Sequence, residues 1–287
     1  GFLWGVGKMK ALLIQLYSII SHALHSSRLM KIAVAYQHKN FPIPIGIYNR
    51  IFSYNIANIL LAWYGHHVFY SQYDARKSDE EYWGSDASLY YYAASQNQHR
   101  MPELEKVRRI VDYENLIDED SVVVDFGCGT LKDMRRLVKE GRIRSRHIHG
   151  IDRNEILNKY FDIIGGLPSG IAFKTGLMQS EVDKLDHIDF MFVFGGTLQY
   201  LKRNEVINLF ASTAAKGCKA FIVIGEGTDA DDNVRQGGEW NYNFDKIGQE
   251  AGLTDGWGFH HSIGNNGLFE YWVACRREHD RTVTAVS

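Results

Sequence analysis

From about residue 118 the chain alternates short apolar runs with amphipathic stretches, and this rhythm limits the fold more than any other feature of the sequence. Strands fit residues 121–126, 147–151, 171–175, 189–195 and 219–225, and helices fit 131–141, 154–164, 203–216 and 240–251. A strand followed by a crossover helix and another strand is the unit of a parallel sheet covered on both faces. Near the end the rhythm changes. "GWGFHHSIG" (256–264) and "LFEYWVACRR" (268–277) are two extended runs joined by a tight Asn/Gly turn, which reads as a hairpin. The expected architecture is therefore α/β: a doubly wound, mostly parallel seven-stranded sheet closed by a C-terminal antiparallel hairpin. A polar tail without periodicity follows over 279–287.

Ahead of this core, residues 1–115 read as a helical N-terminal extension. In "ALLIQLYSII" (11–20) apolar side chains recur at helical spacing, and the run is too short to span a bilayer. It suits a helix packed on protein, with a membrane-surface or partner-binding helix as the alternative. His66, His67, Tyr70, Tyr73 and Trp83 give this third the aromatic character of a lid over a binding site. The formal net charge of −2 gives no electrostatic footprint for nucleic acid. Cys128, Cys218 and Cys275 lie far apart, without metal-ligand or disulfide spacing, so the expectation is a reducing, cytoplasmic setting and no metal site.

The chemistry is concentrated in "SVVVDFGCGTLKDM" (121–134), where the first strand of the sheet ends in an acid and a glycine turn. In open α/β sheets, ligands sit at the carboxyl ends of strands. Gly127 and Gly129, lacking Cβ atoms, let the backbone approach such a ligand. A dinucleotide fingerprint requires a third glycine where this chain has Lys132, so NAD fits poorly, and no GK[ST] follows to form a P-loop. Asp152, at the end of "HIHGID", can accept hydrogen bonds from ribose hydroxyls or can be a solvated strand-end acid.

"VVVDFGCGT" followed by "HGID" and the closing hairpin resembles the class I S-adenosylmethionine-dependent methyltransferases over roughly 116–278. The resemblance implies S-adenosylmethionine as cofactor and a role for each matching position. Asp125 would face the methionine moiety, and Gly127, Cys128 and Gly129 would pass beneath it. Asp152, beside Arg153, would grip the ribose, and Gly176, Leu177 and Met178 would lie near the adenine. Many relatives carry an acid at that last place, which "TGLMQS" lacks. Phe194, Gly195 and Gly196 would line the methionine end. "TLQYL" after them is a short likeness to sugar-modifying methyltransferases. Tyr91 and Gln96, with Tyr90 and Gln98, occupy the place where relatives bring a helix over the cofactor.

The acceptor is less legible, because the cofactor supplies the activated methyl group and the protein mainly aligns the nucleophile. A hydroxyl acceptor benefits from a general base. His261 is the first candidate, His260 the second and Glu226 the third; strand alternation allows only one of the two histidines to face inward. Asp229, Asp231 and Asp232 read as a solvated loop. No NPPY-type motif follows the fourth strand, which argues against a nucleic-acid substrate. The expected reaction is methylation of a small polar or sugar-like acceptor, at oxygen. The alternatives are an apolar or lipid-linked acceptor and a cofactor-binding partner protein without catalysis.

Overall fold

The computed structural model describes residues 100–234, 240–264 and 267–284. The expected N-terminal extension, with Tyr91 and Gln96, lies outside the described residues apart from its last part. That part holds helix α1 (Met101–Arg108) and the single turn α2 (Tyr113–Leu116). Helix α1 ends at Arg108, and Val111 forms an isolated bridge with Asp280. Leu104, Val107, Val111 and Tyr113 are fully buried.

The strands are β1 (Val122–Phe126), β2 (His147–Asp152), β3 (Ile171–Thr175), β4 (Phe190–Phe194), β5 (Ala220–Ile224), β8 (Trp257–Ile263) and β9 (Phe269–Arg276). A separate two-stranded ribbon pairs β6 (Asn233–Val234) with β7 (Trp240–Asn241). The large sheet has the order β3-β2-β1-β4-β5-β9-β8. β1 runs parallel to both β2 and β4, with Val123 beside Ile148 on one side and Phe190 on the other. The order therefore reverses between β1 and β4, where an open α/β sheet leaves a crevice at its strand ends. β9 enters antiparallel beside β5, with Ile222 opposite Val273, and β8 pairs antiparallel with β9 as the edge.

Helices α3 (Lys132–Lys139) and α6 (Arg203–Ala215) fall where the sequence expects them, and α5 (Met178–Glu181) is a single turn. Helix α4 (Ile156–Ile164) belongs to a second unit and is taken by itself. The helix expected over 240–251 begins only at α7 (Phe244–Glu250), because the Asn243 side chain caps it by accepting from Lys246 N at 3.1 Å. Every residue of β5 is buried, as expected of a central parallel strand. On one face of the sheet Phe210, Phe221, Phe244 and Trp272 pack ring to ring at centroid distances of 5.3–6.1 Å. Each such buried ring contributes about 1.5–3 kcal/mol through apolar burial.

Residues 280 and 281, in the segment expected as a polar tail, are tied to the fold. Asp280 is buried, Arg281 N donates to Ile110 O, and the Arg281 side chain pairs with Asp112. Among the described residues no helix is long and apolar enough to cross a membrane.

Candidate active site

The glycine turn leaves β1 at the point where the strand order reverses. Gly127 and Gly129 both adopt positive φ, +61° and +49°, the left-handed region that favours glycine. Ile151 O at the end of β2 receives Gly127 N at 2.8 Å and Cys128 N at 3.2 Å, which fixes the turn to its neighbour strand. A Cβ on Gly127 would stand 2.0 Å from the Thr197 side chain, and Thr197 Oγ1 donates to Gly127 O at 3.4 Å. Leu131 completes the turn at φ +55°, an unusual conformation for a branched residue. Its side chain fills the space left by the missing Cβ of Gly150, which accounts for the glycine in "HGID".

Two carboxylates flank this turn in different states. Asp125 is buried, and its Oδ1 has no hydrogen-bond partner among the described residues. Burial first, then the neighbouring Asp133 and Asp152, push its carboxyl well above the ordinary range. A buried carboxylate without a partner is costly, and a cation placed against it removes that cost. Asp152 accepts from Gly129 N through Oδ2 and from Asn154 N through Oδ1, both at 2.9 Å. Burial raises its pKa despite these bonds. Each oxygen keeps a lone pair, so Asp152 can accept from a diol while holding the turn. Arg153 beside it is exposed.

At the end of β3, Leu177 is 52% exposed, an apolar side chain with nothing yet to cover. Met178 instead packs against the core. The acid missing from "TGLMQS" has a neighbour in Glu181, whose side chain lies 2.7 Å from where a Cβ on Gly176 would be. Lys174 at 2.8 Å and Lys184 at 2.5 Å engage it already, which disfavours a ligand role.

At the ends of β4 and β5, Phe194, Gly195 and Gly196 are half-buried. Glu226 is buried there and accepts from Leu198 N at 3.0 Å and Gln199 N at 3.3 Å. It thereby anchors the turn that presses Thr197 against Gly127. Burial pushes its pKa up to about 7, against the pull of the Leu198, Thr197 and Gln199 amides and of the Arg100 charge. The Arg100 guanidinium lies across these strand ends, 3.0 Å from where a Cβ of Gly195 would be and 3.3 Å from that of Gly225. Its main-chain N donates to Asp133 Oδ1 at 3.1 Å. Sequence reading missed Arg100, Thr197 and Leu131. Only the strand-end glycines opposite them left a trace in the sequence.

The histidines stand elsewhere. β8 is three strand spacings from β4, about 14 Å at the usual interval. His260 Nε2 lies 2.7 Å from Asp280 Oδ2, and the exposed His261 stacks on Phe269 at 4.6 Å with Asp245 3.5 Å from its Nδ1. As alternation requires, they occupy opposite faces, but neither reaches the glycine turn.

A parallel sheet that reverses at β1/β4 and ends in one antiparallel strand inserted beside β5 decides the architecture. The fold is that of the class I methyltransferases. Among solved structures, the mitomycin 7-O-methyltransferase MmcR is similar with a TM-score of 0.50 at 14% identity, over 75% of this chain and 68% of that one. A S-adenosylmethionine-dependent methyltransferase from Leishmania major is similar with a TM-score of 0.48 at 12% identity, covering 74% and 82%. An amino pentose methyltransferase from Micromonospora echinaspora gives 0.43 at 14%, covering 73% and 96%. No protein-family model and no curated protein matches the sequence.

Proposed function

We propose that the chain is a S-adenosylmethionine-dependent methyltransferase that methylates a small polar or sugar-like acceptor at oxygen. The observation that carries this reading is the unpartnered Asp125 oxygen beside a glycine turn in the class I fold. S-adenosylmethionine offers what these residues lack: an ammonium for Asp125, a ribose diol for Asp152 and an adenine for Leu177. When bound, it supplies a methyl group activated by a positively charged sulfur.

This chain's own residues would then orient and deprotonate the acceptor. Of the three expected bases, Glu226 is the one at the strand ends where an acceptor must sit, and its pKa of about 7 suits taking a hydroxyl proton near neutrality. The Arg100 guanidinium and Glu226 make that end of the cleft polar, which favours a polar acceptor over a lipid-linked one. The near-neutral net charge favours a small molecule over nucleic acid. The test is release of S-adenosylhomocysteine against a panel of sugars and hydroxylated metabolites. Turnover with members of that panel supports the reading. Turnover confined to lipid-linked or nucleic-acid acceptors overturns its acceptor half, and no release with any acceptor favours a non-catalytic binding protein.

A further inference from the structure

We propose that His260, Cys275 and Asp280 form a binding site for one thiophilic divalent cation, zinc by its chemistry. Among the described residues these three bring one nitrogen, one sulfur and one oxygen donor within 4.8 Å of one another. The hairpin register builds the pair from the strands. Cys275 lies opposite Gly258 and His260 opposite Val273, so Cys275 and His260 project from the same face. Gly258 makes the room between them. A Cβ there would stand 2.5 Å from Asp280 Oδ2 and 3.3 Å from His260 Nε2.

Asp280 comes from the returning chain and is held in place without using its inner oxygen. Its Oδ1 accepts from Thr282 N at 2.9 Å and Thr282 Oγ1 at 2.7 Å, while its backbone bridges to Val111. Oδ2 is left pointing at His260 Nε2, 2.7 Å away. Bonds of about 2.0–2.3 Å to a tetrahedral ion separate its ligands by roughly 3.3–3.8 Å. The His–Asp contact must therefore open by under about 1.1 Å and the sulfur close in, which rotamer adjustments of three side chains can accomplish. On coordination the thiol proton leaves to solvent and the imidazole keeps its proton on Nδ1. Thiolate, imidazole and one carboxylate suit zinc, whereas calcium and magnesium require a shell of oxygens. Cys275 is fully buried, and the His260 side chain is 24% exposed, which leaves a path for entry and a place for a water as fourth ligand. His260 lies four strand spacings from β1 and Cys275 three, so the site ties the 280–282 segment to the hairpin and stands apart from the glycine turn.

The test titrates the full chain, purified without metal, with cobalt(II) chloride, followed by zinc chloride. One cobalt per chain is expected, with a sulfur-to-cobalt charge-transfer band in the near ultraviolet that zinc abolishes. The band should survive Cys128→Ser and disappear in Cys275→Ser, and His260→Gln should weaken zinc binding at least about tenfold. If Cys275→Ser does not fold, His260→Gln, at a partly exposed side chain, decides. Absence of the band in the intact protein, its persistence in Cys275→Ser, or unchanged zinc affinity in His260→Gln overturns the proposal.

Discussion

The glycine turn and the hairpin edge are two carboxylate-bearing regions of one sheet, and they solve the problem of a buried acid in opposite ways. Asp125 keeps an oxygen without a partner among the described residues, and its carboxyl lies well above its ordinary range. At the hairpin, burial would raise Asp280 too, but the Thr282 hydroxyl, His260 and the Thr282 amide outweigh it and hold its pKa low. The first arrangement is costly to the protein alone and is one that a ligand bringing a positive charge would relieve. The second is held by partners from within the chain, Thr282 on one oxygen and His260 on the other, and the proposed cation would replace only the His260 contact. Of the expected bases, His260 and His261 lie on the hairpin strand β8, and Glu226 lies at the ends of β4 and β5.

The largest effect expected concerns who takes the acceptor's proton. Glu226→Gln keeps an oxygen to accept from Leu198 N but cannot take a proton, so turnover should fall about 10²–10⁴-fold with cofactor affinity nearly unchanged. The base must be ionised, so the native rate should climb as pH rises through about 7 and level off above it, while the residual Gln rate should lack that step. In the contrasting region, His261→Ala should change turnover less than about threefold. A large loss for His261 and none for Glu226, read by single-turnover rates, would invert the comparison.

Gly127→Ala should come next. It combines a positive φ with a Cβ placed 2.0 Å from Thr197, a combined cost of about 2–4 kcal/mol. Denaturant unfolding checks the stability, and calorimetry should show cofactor binding lost as well. Asp125→Asn separates ligand affinity from stability. Binding of S-adenosylmethionine should weaken by about 1.5–3 kcal/mol, the scale of a charge-assisted hydrogen bond, while the empty protein is as stable as before or more so. Loss of stability together with unchanged affinity would make Asp125 a packing residue instead. Asp152→Ala should cost binding a similar amount, and it should also loosen Gly129, whose N–H it accepts.

The core of the fold was legible because its signals are local. An apolar strand, a glycine turn and a crossover helix are each written in a dozen consecutive residues, and the Asn/Gly turn announced the hairpin. The strand-end positions of Asp125 and Asp152 were legible for the same reason, near the ends of β1 and β2. What depends on contacts between distant segments was not. Arg100 reaches the ends of β4 and β5 from far upstream, and Glu226 meets the 197–199 turn across 28 residues. The trio His260, Cys275 and Asp280 has no ligand spacing in the sequence. It assembles only through strand register and the return of the chain to Val111. Glycines were the best long-range hints, since Gly127, Gly150 and Gly258 each stand where a Cβ would strike a side chain from another segment.

The reading rests on Asp125 and the glycine turn beside it holding a sulfonium nucleoside. Isothermal calorimetry of the full chain with S-adenosylmethionine, S-adenosylhomocysteine and NAD tests it most directly. One site is expected for each sulfur nucleoside and none for NAD. Binding of NAD with no response to either sulfur nucleoside would contradict it.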